Sequence, residues 1–331
     1  MTEHERIDDR ASLRRTLLWL GITGISLYLV APSLVEVFSS ADNLAQIEPW
    51  WFAAMAALEA ASLVCLWSLQ RTALRTSRWR PVIASQLAGG ALSKMAPAGG
   101  AVGAALQYRM LVEAGFDRGR SVAGITAVNV LTFAAVLALP VLALPAIVRG
   151  GVSSDLVSAT LVGLAVFTVL LVLGALAFVL DGPLRWSGRA LQGVGNRVRR
   201  GSEPLDTLPD RLLHERDRIL DALGPRWKRA LAATVGRWAF DYGILLAALA
   251  AVGSTPRPAL VLLAFCAAQV LSQVPATPGG LGFVEAGLTA MLALAGVSAG
   301  DAVLATLAYR LFTYWVALPL GLVGLTLQRK V

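Results

Sequence analysis

The sequence predicts an all-α polytopic membrane protein, with about six full spans and two broken, re-entrant helical hairpins arranged as an inverted repeat. Three observations carry that prediction. Of 331 residues, 56% are hydrophobic and only 15% are charged, against about 25% charged in a soluble domain. The apolar residues form continuous runs rather than the alternation of a β-barrel. The basic residues gather in alternate connecting segments, which marks the cytoplasmic side of a membrane.

Six apolar runs, at 17–38, 50–70, 122–148, 155–180, 230–252 and 301–328, are near or above the roughly 20 residues that cross a bilayer. The first is longer than the apolar part of a signal peptide and more spans follow it, so it is expected to stay as a helix. Residues 1–16 carry Arg6, Arg10, Arg14 and Arg15 and form a cytoplasmic tail. Run 17–38 then leads out, and 50–70 returns to Arg71, Arg75, Arg78 and Arg80. Residues 82–113 begin and end beside arginines, so they enter from the cytoplasm and come back. Run 122–148 leads out and 155–180 returns to the loop 181–229, with eleven Lys and Arg against seven Asp and Glu. That loop is either an amphipathic helix on anionic headgroups or a solvated linker helix. Run 230–252 leads out, 258–297 dips in from the charge-poor side, and 301–328 ends at Arg329 and Lys330. Both termini are thus cytoplasmic, and residues 1–331 form a single membrane domain of an inner membrane. Basic charge here is topological and does not point to nucleic acid.

The two interrupted segments resemble each other. Leu92-Ser93-Lys-Met-Ala-Pro-Ala-Gly-Gly100-Ala-Val-Gly103 aligns without gaps on Leu271-Ser272-Gln-Val-Pro-Ala-Thr-Pro-Gly279-Gly-Leu-Gly282, an offset of 179. The same offset places Ala138-Leu139-Pro140 on Ala317-Leu318-Pro319. Inverted repeats with broken helices that meet near the midplane form the substrate sites of many transporters.

The candidate ionisable residues within the apolar segments are Glu59, Lys94, Arg109, Arg237, Asp241, Glu285 and Arg310. Such groups are costly in hydrocarbon and are functional or paired. Arg237 and Asp241, four residues apart, can neutralise each other, and Arg109 can snorkel to an interface. Arg237, Asp241, Glu285 and Arg310 are expected to form a cross-helix set, with Glu285, Asp241, Glu59 and Lys94 as proton or charge partners. Thr277 is expected to cap a helix that starts at Pro278. The glycines Gly279, Gly280 and Gly282 would leave its amides bare, a setting for an anion such as a lipid phosphate. The bland alternative is that the glycines only permit close packing.

At these residues the sequence resembles the lysylphosphatidylglycerol synthase transmembrane-region family. The pattern falls on Pro275, Thr277-Pro278-Gly279-Gly280, Gly282, Glu285, Tyr309-Arg310 and Pro319. A first-half version falls on Pro97, Gly99, Gly100, Arg109, Gly115 and Phe116, without an acidic residue after its glycines. The resemblance implies a flippase-like bacterial membrane protein, like the membrane half of the multiple peptide resistance factor. It implies movement of an aminoacyl-phospholipid, a glycolipid or a polyprenyl-phosphate-linked lipid between leaflets. The headgroup would lie on Thr277, Pro278, Gly279, Gly280, Gly282, Arg237, Arg310 and Arg109. The chain ends at Val331, so no aminoacyl-transferring domain is expected.

No cofactor or metal is expected. The only histidines, His4 and His214, lie in polar segments, and Cys65 and Cys266 have no metal-ligand spacing. GGLGFVEAG and AGGAVGAAL lack the Gly-Lys-Ser/Thr ending of a nucleotide-binding loop. Two alternatives stay open: an enzyme of lipid-linked sugar or envelope-lipid synthesis, and an accessory protein. The partners are membrane lipids, with a separate lipid-modifying enzyme or glycosyltransferase as a further candidate.

Overall fold

The computed structural model describes residues 47–96, 99–143, 224–272 and 278–328, with isolated positions between 165 and 217. The tail 1–16, the run 17–38 and most of 155–180 and of the loop 181–229 lie outside the described residues. Among the described residues every regular element is helical.

The first half contains α1 (Pro49–Ala73), α2 (Trp79–Met95), α3 (Gly99–Glu113) and α4 (Arg118–Ala138), and α4 continues as a 3-10 turn over Leu139–Ala143. The second contains α5 (Trp227–Ala251), α6 (Pro258–Leu271), α7 (Phe283–Leu294), α8 (Ala299–Arg310) and α9 (Ala317–Gln328). A 3-10 turn, Pro278–Gly280, precedes α7, and a π-helical segment, Leu311–Trp315, joins α8 to α9. Local chemistry sets several ends. Proline opens α1 and α6, where its missing N–H costs nothing. Asp117 caps α4 by accepting from the Arg120 amide at 2.9 Å, and Ser298 caps α8 by accepting from the Asp301 amide at 3.2 Å.

Three stretches, Pro49–Ala73, Arg118–Val141 and Ala299–Gln328, are long and apolar enough to cross a membrane. They match the expected runs 50–70, 122–148 and 301–328. The expected run 230–252 is α5, whose 25 residues are about 37 Å long at 1.5 Å per residue. The interrupted segments 82–113 and 258–297 are the helical pairs α2–α3 and α6–α7. The chain is an all-α membrane protein.

The element order repeats at the offset found in the sequence. Adding 179 to α1, α2 and α3 gives 228–252, 258–274 and 278–292, beside α5, α6 and the turn plus α7. Arg78 and Arg257, the residues before α2 and α6, are a further identity at this offset. Packing repeats as well. As α2 packs on α3, so α6 packs on α7; as α1 meets α4, so α5 meets α8. Each half also lends its last segment to the other: α2 lies along α9, and α6 lies on Leu139–Ala143.

The corresponding helices α1 and α5 run antiparallel. Leu58 lies by Gly243, the Ser62 hydroxyl donates to the Arg237 carbonyl at 3.3 Å, and Cys65 abuts Gly236. Small residues also let α9 approach α2 backbone to backbone, since a Cβ on Gly324 would lie 2.8 Å from the Ala84 carbonyl oxygen. The main apolar cluster joins Met55 to Ile244, Leu245, Phe265, Leu288 and Tyr309. The Phe265 ring meets Trp238 and Tyr309 edge-on, at 5.9 and 6.4 Å. Outward-facing Leu322, Val323 and Leu325 on α9 are exposed, as suits a surface that meets lipid tails rather than water.

Candidate functional site

The helix expected to start at Pro278 starts at Phe283 instead. Gly279, Gly280 and Gly282 have φ of 58°, 71° and 80°, conformations that glycine adopts at little cost. Three such residues in four positions postpone the helix, and Gly282 occupies its N-cap. Thr277, expected to be that cap, lies outside the described residues. The cap is completed from inside the helix, because one Glu285 carboxylate oxygen accepts from the Gly282 amide at 2.8 Å.

The other Glu285 oxygen accepts from Arg310 Nε at 2.7 Å, and both residues are buried, 8% and 7% exposed. A second Arg310 nitrogen donates to the Gly279 carbonyl at 3.3 Å, and the guanidinium stands 4.5 Å from the centre of the Tyr314 ring. One ion pair therefore fastens the glycine turn to the end of α8. The expected cross-helix partnership of Glu285 and Arg310 is present.

Gly279 also meets the first half. A Cβ there would collide with Tyr314 Cε2 and lie 2.8 Å from the Lys94 carbonyl oxygen. Lys94, in the last turn of α2, is held from both ends. Its ammonium donates to the Thr313 carbonyl, and its carbonyl accepts from the Tyr314 hydroxyl at 3.0 Å. Thr313 and Tyr314 belong to the π-helical segment, a local widening that recurs at functional sites. The tips of the two helical pairs thus touch, a point the sequence leaves open.

Asp241, 6% exposed, accepts from the Tyr309 hydroxyl at 3.3 Å, while Gln269 donates to that hydroxyl at 2.8 Å. Arg237 closes no ion pair with Asp241 among the described residues, so the expected neutralisation on one helix gives way to a hydrogen-bonded Asp241. The Arg237 Nε is buried without a hydrogen-bond partner among the described residues, and its guanidinium lies 5.3 Å from the Trp238 ring. Glu59, buried on α1, is within electrostatic reach of Asp241, Lys94 and Arg237. Six charged side chains, three of each sign, thus come together from α1, α2, α5, α7 and α8.

Arg109 stands elsewhere. It is exposed on α3, and its Nε donates to Glu113 one turn on at 2.7 Å. Of the first-half glycines, Gly99 and Gly103 permit packing, since a Cβ on either would collide with Ser93, whereas a Cβ on Gly100 would meet nothing. Pro97 lies outside the described residues. Sequence reasoning missed Gln269, Thr313 and Tyr314 because they are uncharged. Thr313 and Tyr314 had one signal, polarity at helical spacing from Tyr309 and Arg310, whereas Gln269 reaches Asp241 from another helix and had none.

The cluster can hold an anion. The Lys94 ammonium has three donors and uses one described acceptor, and Arg237 has an unfilled buried donor. Arg310 and the Gly282 amide are already occupied by Glu285. No curated protein and no solved structure matches this chain. A family model, "Lysylphosphatidylglycerol synthase TM region", matches residues 18–321, nearly the whole length, and includes every residue of the charged cluster. The chain therefore belongs to the lysylphosphatidylglycerol synthase TM region family.

Proposed function

We propose that this protein is a lipid transporter of the flippase type in a bacterial inner membrane, with both termini cytoplasmic. It moves an anionic or modified lipid between leaflets while the chains remain in the bilayer. The observation that carries the reading is the meeting of Lys94 and Gly279, one from each re-entrant pair, beside buried charges drawn from both halves. Irregular backbone at such depth is tolerated inside protein or along a wet cavity, and midplane sites between repeats are where transporters bind cargo.

In this reading the headgroup contact lies on Lys94 and Arg237. Sequence reasoning favoured the helix end at 277–282 with Arg237, Arg310 and Arg109, yet Glu285 already fills the Gly282 amide and pairs with Arg310. In this reading Lys94 and Arg237 take the phosphate, Glu59 and Asp241 balance them in its absence, and Glu285–Arg310 braces the turn. The antiparallel contact of α1 with α5 and the 179-residue correspondence support an inverted repeat. Rocking of one half against the other would expose the cluster to each leaflet in turn.

The test is leaflet exchange in liposomes, using labelled phosphatidylglycerol, lysylphosphatidylglycerol, a glycolipid and a polyprenyl phosphate. Wild type should accelerate exchange of at least one class, and folded Glu285→Gln or Arg310→Ala protein should lose most of that rate. Folded wild type that exchanges none of them sinks the proposal.

A further inference from the structure

Four unpartnered polar atoms lie together on α1, outside the cluster described above. They are Trp67 Nε1, both amide atoms of Gln70, and Arg71 Nε, all buried without a hydrogen-bond partner among the described residues. Gln70 is fully buried, 0% exposed. Residues three and four apart share a helix face, so these atoms belong to one patch. Buried amide, indole and guanidinium groups are costly when nothing bonds them. The fold nevertheless holds them in place: the Arg71 guanidinium stacks 3.8 Å over the Trp79 ring and donates to the Ser77 carbonyl at 3.3 Å.

The patch lies between two landmarks. Leu74 packs with Val82, Leu111 and Ile125 at the arginine-rich end, and Glu59 is in electrostatic reach of Lys94 at the other. Helices α1 and α2 are therefore antiparallel neighbours. Gln70 falls between those levels, about 16 Å along the helix from Glu59. On α2, buried Ser85 and Gln86 occupy the stretch between Val82 and Lys94. The Ser85 hydroxyl donates to the Val82 carbonyl of its own helix at 3.1 Å.

The second half has nothing of the kind. At the 179-residue offset, Trp67, Gln70, Arg71, Ser85 and Gln86 correspond to Leu246, Leu249, Ala250, Ala264 and Phe265. Of these, Leu249, Ala264 and Phe265 are buried in the apolar core. The fold therefore accepts apolar residues at these positions, and polarity in the first half has another cause.

We propose that the Trp67–Gln70–Arg71 face is a second binding site, which takes the phosphate of a lipid headgroup between the basic end of the bundle and the Lys94–Arg237 cluster. The chemistry fits an oxyanion: three donor groups, one on a permanent cation, face a single acceptor, Gln70 Oε1, which suits a headgroup hydroxyl. The role as a way-station rests on the transport reading, whereas the binding does not.

Calorimetric titration in detergent with dihexanoyl phosphatidylglycerol, and separately with inorganic phosphate, tests it. Gln70→Leu, which copies Leu249 of the second half, should fold with an unfolding midpoint no lower than wild type. It should lose one equivalent of bound lipid, or bind that equivalent at least tenfold more weakly. Trp67→Phe, a milder change, should weaken the same equivalent and serves if Gln70→Leu fails to fold. Unchanged lipid stoichiometry and affinity in a folded variant overturns the site and leaves only water for the orphan atoms. Inorganic phosphate bound as tightly as the lipid overturns the lipid assignment. Lipid binding that depends on Gln70, in a protein that exchanges no lipid in liposomes, supports this site and sinks the transport reading alone.

Discussion

Glu285→Gln, Arg310→Met and the double substitution together give the most informative set of stability measurements. The pair is 2.7 Å apart with side chains 10% and 8% exposed, so water screens it little. Removing one member strands the other charge, which costs about 3–5 kcal/mol for a buried pair. In Glu285→Gln the new amide would keep one oxygen for the Gly282 amide but turn its own N–H groups towards Arg310. Arg310→Met would leave the carboxylate with only the Gly282 amide and would free the Gly279 carbonyl. The double variant strands no charge, so it should cost less than the two single costs added together. A coupling of at least about 1.5 kcal/mol is expected, within the usual range for residues in contact. Denaturant unfolding in mixed micelles, followed by circular dichroism, reads all four proteins. Strictly additive costs would refute the idea that this pair braces the turn.

Further outcomes follow from close contacts. Gly279→Ala puts a methyl group at a φ of 58° and against the Tyr314 ring, so it should destabilise the fold by about 1–3 kcal/mol, measured in the same unfolding assay. Gly324→Leu forces α9 off α2, where a Cβ already lies 2.8 Å from two backbone atoms, and should lower the thermal midpoint and raise protease cleavage. Gly236→Cys places a thiol beside native Cys65, whose sulfur is 2.9 Å from the position of a Cβ. Mild oxidation should then give an internal disulfide, seen as a gel shift reversed by reductant, whereas no cross-link would contradict the α1–α5 contact.

The all-α membrane class was legible because long apolar runs need no contacts to be read, and the breaks between α2 and α3 and between α6 and α7 were legible because Gly and Pro inside apolar runs have few other uses. The partnership of Glu285 with Arg310 was legible for a similar reason: a deep charge demands a partner. The start of α7 was misplaced, at Pro278 rather than Phe283. Capping rules favour Thr277-Pro278, but three left-handed glycines override them, and the contacts of Gly279 with Tyr314 and Lys94 are not readable from the local sequence. Arg237 and Asp241 have ideal spacing for a pair, yet Tyr309 and Gln269 reach Asp241 from other helices. Spacing along one helix carries no information about such donors. The same limit hid the hold of Thr313 and Tyr314 on Lys94, since 219 and 220 positions separate them in the chain.

Lys94 joins the tips of the two helical pairs and offers unfilled donors to an anion, so its removal tests the central claim most directly. Lys94→Met and, as a control, Arg109→Ala should be reconstituted in liposomes beside wild type once their folding is verified. Leaflet exchange of the transported lipid should fall at least tenfold in Lys94→Met and stay within twofold of wild type in Arg109→Ala. Wild-type exchange by folded Lys94→Met protein would contradict the account.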